Sequence, residues 1–338
     1  MSEKTTIYDI AKALNITAAT VSRALNNNPK ISQATKKLVL ETAAKMNYKQ
    51  NKLALALKSG KSNTVGVIVP YIDRNFFSSI IRGIEEELYP IGYHVIICQT
   101  HEEEGTEIDN INALLNAQVD GILMSVSKHT SQLDHFDHVL KKGVPLVFFD
   151  RRKDIKGVST VTIDDFEGGY MATKHLIQQG CKRIAHLSGD RSLEIYKHRY
   201  EGYRKALDDF GLKFDKDYVL QSKSDIGAGH KAIDKFMKLD NPPDAVFSSS
   251  DFLALGAIQQ LKKHGIKIPE DFCVVGFSNE PFTKFMELSI SSVDQSPVQM
   301  GNTAAKVFLE QVKDATVKIE KKVVLSPTLK IRKSSSRS

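Results

Sequence analysis

Ile7-Tyr-Asp-Ile-Ala-Lys-Ala-Leu-Asn-Ile-Thr-Ala-Ala-Thr-Val-Ser-Arg-Ala-Leu25 holds two short helical patterns and the turn between them. Ile7, Ile10, Ala11 and Leu14 recur at i, i+3, i+4 and i+7, the spacing of one helix face, and Thr5 or Thr6 stands where a cap is needed. Asn15 suits the left-handed turn that ends a helix, because Asn tolerates positive φ better than most residues. Thr17 then caps a second helix whose Val21, Ala24 and Leu25 can face the first. Helices joined by so few residues cross steeply, which leaves the start of the second one projecting. A third pattern opens at Ser32 and runs through Leu38, Val39, Thr42, Ala43 and Met46 to end near Asn47. The stretch therefore predicts a small all-α helix-turn-helix unit. Ala18 and Ala19 at the projecting start allow close approach to a groove, while Thr20, Ser22 and Arg23 supply hydrogen-bond donors.

Charge is concentrated in the same place. The chain has 338 residues and a formal net charge of +7. Residues 1–60 carry ten Lys or Arg against three acids, whereas the remaining residues hold equal numbers of the two signs. A small basic module on a neutral body is an electrostatic footprint for a polyanion, although a solvated helical surface is also basic. At 41% apolar and 26% charged, the composition excludes disordered and collagen-like chains. No run approaches the roughly 18 apolar residues of a spanning helix, and the first residues lack a secretory pattern, so the expectation is a cytoplasmic, nucleoid-associated protein with no membrane partner. Cys98, Cys181 and Cys273 are far apart and beside apolar runs, which suits reduced thiols better than a disulfide framework or a metal site.

Beyond the third helix, Asn51-Lys-Leu-Ala-Leu-Ala-Leu-Lys58 offers a cap and about two helical turns, too short to be stable alone. Through Ile7-Tyr-Asp-Ile-Ala-Lys12, Thr20-Val-Ser-Arg23 with Asn26, Tyr48 and Ala54 to Leu57, the sequence resembles the LacI/GalR family of bacterial transcriptional regulators, and the resemblance continues across essentially the whole chain. It implies a DNA-reading second helix, with Thr17, Ala18, Ala19, Thr20, Ser22, Arg23 and Asn26 at double-stranded operator DNA. It further implies a homodimer whose paired hinges insert Leu57 into the minor groove, with Lys58 beside it; an ordinary dimer contact is the other use of such a leucine. The family often has Arg where Leu55 stands.

After Ser59-Gly-Lys-Ser-Asn63, apolar strand patterns alternate with helical ones. Strands are expected at Val65–Val69, His94–Cys98, Gly121–Ser125 and Leu146–Phe149, then near Val161 and at Arg183–Leu187, Ala245–Ser248 and Cys273–Val275. Their aliphatic, β-branched runs imply strands covered on both faces, hence two doubly wound parallel-sheet α/β lobes. The domain reading is a helix-turn-helix at 1–49, a hinge at 50–63 and a body at 64–338. The resemblance implies a body like periplasmic sugar-binding proteins, with crossovers near Ile163, Ser292 and Val323. The first lobe then takes 64–163 and 293–322, and the second 164–292 and 323–332.

Ligands of such sheets sit beyond the carboxyl ends of the strands. Positions there that match the family's effector contacts are Phe76, Phe77, Asp150, Arg151, Arg199, Asp251, Ser278 and Asn279. Arg199 offers a planar fork, Asp251 and Asn279 can accept from hydroxyls, and Phe rings can cover a sugar face. Asp251 is equally suited to capping a helix. The family usually has Asp where Ser278 stands, and this lost acid, with Arg151 and Arg199 nearby, points to an anionic effector such as a sugar acid or sugar phosphate. Gly227-Ala-Gly229-His resembles a dinucleotide fingerprint, but no clear strand leads into it and Asp225 more simply caps a helix. His129, His135 and His138 with Asp134 and Asp137 read as a solvated helix face rather than a metal cluster. Nucleophile elbows and Walker loops are missing, so the expectation is a regulator without cofactor, metal or catalytic residues.

Overall fold

The computed structural model describes residues 5–48, 61–313 and 320–337. The chain divides into two compact units, Met1–Ser62 and Asn63–Ser338.

In the first unit, α1 (Ile7–Leu14), α2 (Ala18–Leu25) and α3 (Gln33–Lys45) enclose a core of Ile10, Ala11, Val21, Ala24, Val39 and Ala43. The boundaries follow from local chemistry. Thr6 caps α1 while Asp9 reaches back to its backbone N–H at 2.8 Å, and Asn15 closes the helix at φ 52°. Thr17 Oγ1 accepts from the Thr20 N–H, and Ser32 Oγ accepts from the Thr35 N–H, so the second and third helices start where their hydroxyls sit.

The second unit contains two six-stranded sheets. The first has the order β11-β5-β4-β3-β1-β2, all parallel, from β1 (Thr64–Val69), β2 (His94–Gln99), β3 (Gly121–Met124), β4 (Leu146–Phe149), β5 (Ser159–Ile163) and β11 (Lys322–Leu325). The second has the order β12-β10-β9-β8-β6-β7, from β6 (Ile184–Ser188), β7 (Val219–Gln221), β8 (Ala245–Ser248), β9 (Cys273–Phe277), β10 (Ser291–Asp294) and β12 (Thr328–Lys330). Only β12 runs antiparallel to its neighbour among these described strands. The chain leaves the first sheet after Ile163, leaves the second after Asp294, and returns to it after Leu325, a few residues beyond the later crossovers expected near Ser292 and Val323. Helices alternate with the strands as right-handed crossover units require: α4 (Asn75–Leu88), α5 (Glu104–Asn116), α6 (Asp134–Lys141), α7 (Asp165–Gln178), α8 (Glu194–Asp209), α9 (Ile226–Phe236), α10 (Asp251–Lys263), the short α11 (Phe282–Phe285) and α12 (Pro297–Lys313). No helix among the described residues is long and apolar enough to cross a membrane.

Strand β2 departs from expectation. Its apolar run does not lie covered on both faces, because β2 is the sheet edge and leaves Ile97 46% exposed, with Ile96 and, in the following loop of β1, Ile72 also open. Apolar periodicity registers what a strand prefers to bury, and cannot say that the cover comes from elsewhere.

Helices α7 and α8 meet at two glycines. A Cβ on Gly169 would fall 2.2 Å from the Arg199 carbonyl oxygen, and one on Gly202 would fall 2.1 Å from that of Phe166. Gly169→Ala should therefore force the helices apart at a cost of about 1–3 kcal/mol, lowering the melting temperature by several degrees. Gly105→Ala, inside α5 where nothing lies within 4 Å, should not lower it. Equal melting temperatures for both variants would show that the crossing tolerates separation.

Candidate DNA-reading face and ligand cavity

On α2, Val21 and Ala24 point into the core, and helical spacing sends Ala19, Arg23 and Asn26 to the opposite, exposed side with Ser22 at its margin. Thr17 is exposed at the cap, and its Oγ1 lies 2.9 Å from Thr20 Oγ1. Ala18 is different: it turns part-way into the core. Arg23 makes no ion pair among the described residues, so its guanidinium is free to meet a base or a phosphate. Lys36, counted in the basic excess, is buried and donates to Asn27 Oδ1 at 2.8 Å, so its charge braces the unit internally. Tyr8 is 72% exposed on α1 and carries no sequence signal, since its side chain breaks no pattern. Leu57 and Lys58 lie outside the described residues.

In the second unit a cavity of about 700 Å³ opens between the sheets, at the carboxyl ends of their strands. Phe76, Phe77, Asp150, Arg151, Arg199 and Ser278 all line it. Arg199 is only 3% exposed. Its Nε donates to Asp165 Oδ1 at 2.7 Å, Nη1 to the Ser249 carbonyl at 3.1 Å, and Nη2 to Gln295 Oε1 at 3.3 Å. The guanidinium also lies 3.6 Å from the centroid of the Phe277 ring. Arg151 Nη1 donates to both Glu102 oxygens at 2.8 Å. The two arginines are thus already ion-paired, which removes the ground on which they suggested an anionic ligand.

Asp251 and Asn279 do not line the cavity. Asp251 is fully buried behind it, where its carboxylate accepts from the Glu280 N–H at 2.8 Å and from Ser292 Oγ at 2.7 Å, fixing the β9–α11 loop to α10. It is the first residue of α10 rather than its cap, a position held by Ser250. Asn279 donates to Asp294 Oδ2 at 3.1 Å and accepts from Arg332 Nη2 at 2.6 Å, an internal role. The acid missing at Ser278 reappears two residues on, since Glu280 lines the cavity. Tyr71, Arg74, Glu102, Lys128, Tyr196, Phe252 and Gln295 also line it and carry no sequence signal of their own. Three polar atoms of the lining are buried without a hydrogen-bond partner: Arg151 Nε, Ser222 Oγ and Ser249 Oγ. Arg151 Nε is 3.9 Å from Asp150 Oδ2, beyond hydrogen-bond reach.

Burial raises the carboxyls of Asp150, Asp165, Asp251 and Glu280. Desolvation lifts Asp251 to about 7 and Asp150 to about 6, against the lowering pull of Glu280 N–H and Ser292 on the first and of Arg151 and Arg199 on the second. Between the unfolded value near 3.8 and the folded value, the folded state holds a proton that the unfolded chain has lost. Asp251 therefore withdraws stability as pH rises from about 4 to 7, and contributes no further change above that. In thermal unfolding across this range, wild type should lose ground steadily against Asp251→Asn; parallel curves would contradict the assignment.

Asp225 Oδ1 accepts from the Ala228 N–H at 2.8 Å, so Gly227 and Gly229 open a capped helix. His135 is not on a solvated face: it is buried with Nε2 2.9 Å from Glu107 Oε1, and pairing with a buried acid overrides the local polarity of the sequence. Among the described residues no group of three or more His, Cys, Asp or Glu is placed to hold a metal ion.

Comparison with known proteins gives consistent matches at both ends of the chain. Residues 6–51 match the family model described as bacterial regulatory proteins, lacI family, and residues 62–333 match that of periplasmic binding proteins and sugar binding domain of LacI family. The HTH-type transcriptional repressor PurR of Pasteurella multocida (strain Pm70) is 32% identical over 332 residues, 97% of this chain and 98% of that protein. The transcriptional regulator CelR in complex with cellobiose shares 27% identity at a TM-score of 0.73, covering 98% of this chain and 100% of its own. The lac repressor dimer bound to operator and the anti-inducer ONPF shows likeness of fold, with a TM-score of 0.87 at 21% identity over 98% of this chain and 99% of its own.

Proposed function

This chain belongs to the LacI family of bacterial regulatory proteins, DNA-binding transcriptional regulators that carry a ligand-binding domain, and we propose that it is a repressor whose hold on its operator is set by a carbohydrate-type effector bound between the two lobes. The observation that carries the effector class is the set of three buried, unpartnered polar atoms in the cavity wall, Arg151 Nε, Ser222 Oγ and Ser249 Oγ. Buried polar groups are nearly always paired, and small rotations of these side chains would turn them to a ligand rich in hydroxyls in the cavity beside them. Phe76, Phe77, Tyr71, Tyr196 and Phe252 supply the apolar surfaces on which the C–H faces of a sugar ring rest. The CelR–cellobiose likeness supports the same class.

DNA is read by α2, with Ala19 against the groove floor, Ser22 and Arg23 on base edges, and Thr17, Thr20 and Asn26 on the backbone. A homodimer presents two such helices, and the open Ile72, Ile96 and Ile97 at the β2 edge give it an apolar contact face. Leu57 wedges the minor groove at the operator centre, and Lys58 pairs with phosphate. Effector binding favours one arrangement of the lobes, which changes the spacing of the two hinges and hence the reach of the two readers. Such a regulator works in the cytoplasm, at the nucleoid.

A thermal-shift screen of sugars, sugar acids and nucleosides, followed by DNA binding with each hit, tests this. Stabilisation by sugars or sugar acids is expected; stabilisation by nucleosides alone would overturn the carbohydrate class. In the DNA module, Arg23→Ala should relax base preference at one position of each half-site, by about 1–3 kcal/mol in a binding-site selection. Unaltered preference would remove Arg23 from the reading face.

A further inference from the structure

The cavity is lined by five cations, and they fall into two groups. Arg151 and Arg199 are held by Glu102 and Asp165 at hydrogen-bond distance, while the Arg74 guanidinium lies 5.1 Å from the centroid of the Phe252 ring and acts on the Glu280 carboxyl. Lys128 and Lys223 have no ion pair among the described residues. Lys128 stands in the loop after β3, in the first lobe, with its backbone N–H fixed by Glu102 Oε2 at 2.9 Å. Lys223 stands in the loop after β7, in the second lobe, beside Ser222, whose backbone N–H is fixed by the Ser188 carbonyl at 3.0 Å.

The acids at this end of the cavity keep their charge but are hydrogen-bonded within the chain, and Asp190 also feels the Lys128 ammonium. Asp190 Oδ1 accepts from the Ser192 N–H at 3.1 Å and from Gln221 Nε2 at 3.4 Å, and Asp225 Oδ1 caps α9. Ser222 Oγ is one of the unpartnered atoms. Two ammonium groups outside any ion pair among the described residues, Lys128 of one lobe and Lys223 of the other, thus line one space with Ser222.

Resting on the reading of this cavity as the effector site, we propose that the effector carries an anionic group, a phosphate or a carboxylate, held by Lys128 of one lobe and Lys223 of the other together with Ser222 Oγ. The site departs from the expectation drawn from Arg151 and Arg199, which are neutralised; the anion belongs at the lysines. It also couples charge to control. An anion between the two lysines attracts both, and so favours the arrangement that brings the lobes together.

The test uses inorganic phosphate as the first probe, titrated at constant ionic strength against the full-length protein by thermal shift and calorimetry. Saturable stabilisation is expected, weakened about tenfold or more in Lys128→Ala or Lys223→Ala and lost in the double variant, as for removal of charge-assisted hydrogen bonds. Lys262→Ala, on an exposed position of α10, should bind as wild type does. Glucose, gluconate and glucose 6-phosphate form the second arm: preference for the phosphate ester identifies phosphate, preference for gluconate a carboxylate. If neutral sugars bind and neither phosphate nor the lysine substitutions matter, the anion proposal falls while the effector cavity stands. If neither sugars nor anions bind, both fall.

Discussion

Arg199→Ala should abolish the response to effector and destabilise the body by about 3–5 kcal/mol, because it leaves the buried Asp165 carboxylate without its partner and empties the space against Phe277. Effector affinity should fall by at least about 100-fold, or about 2.7 kcal/mol, since the same side chain organises Ser249 and Gln295 in the cavity wall. Loss of folding alone could mimic loss of binding, and Arg199→Met combined with Asp165→Asn separates the two. With both charges removed, most of the stability should return, while effector binding should not. Recovery of binding in the double variant would reduce Arg199 to a structural ion pair.

Ile10→Ala should eliminate operator binding and leave the cavity intact. Ile10 is fully buried in a core built mainly from Val21, Val39 and small alanines, so its loss removes a large share of the apolar contact available to that module. Such a truncation costs about 2–5 kcal/mol, and a unit of this size has little stability to spare. The cores of the body contain none of these residues, so a thermal shift with effector should persist at wild-type concentration dependence. Simultaneous loss of effector binding would show that the two units do not fold separately.

Periodicity and capping made the first unit legible. Thr17, Ser32 and Asn15 mark helix ends through chemistry within three residues of themselves, and the Ile10, Val21 and Val39 face follows from the helical repeat. The cavity was only partly legible. Tyr71, Lys128, Glu280 and Gln295 come from separate loops, Tyr196 and Phe252 from the first turns of α8 and α10, and only the strand order brings them together. Asp251 and Asn279 were named for hydroxyl-accepting chemistry that the fold uses internally, because a side chain's type does not reveal which way its loop turns. Strands β11 and β12 escaped notice because they are short and carry Lys322, Thr328 and Lys330 at exposed edge positions.

In this account the lobes and the DNA-reading helices form one coupled system, so the coupling must be reciprocal. Replacing Leu57 by Ala should weaken operator binding and bending together, and raising salt should reduce affinity steeply through the basic module. The most direct measurement is operator affinity of the full-length protein, on a site selected from random DNA, with and without a ligand shown by calorimetry to occupy the cavity. The account predicts a change of at least about fivefold in wild type and none in Arg199→Met combined with Asp165→Asn. A ligand that fills the cavity of the wild-type protein yet leaves operator affinity unaltered would contradict it.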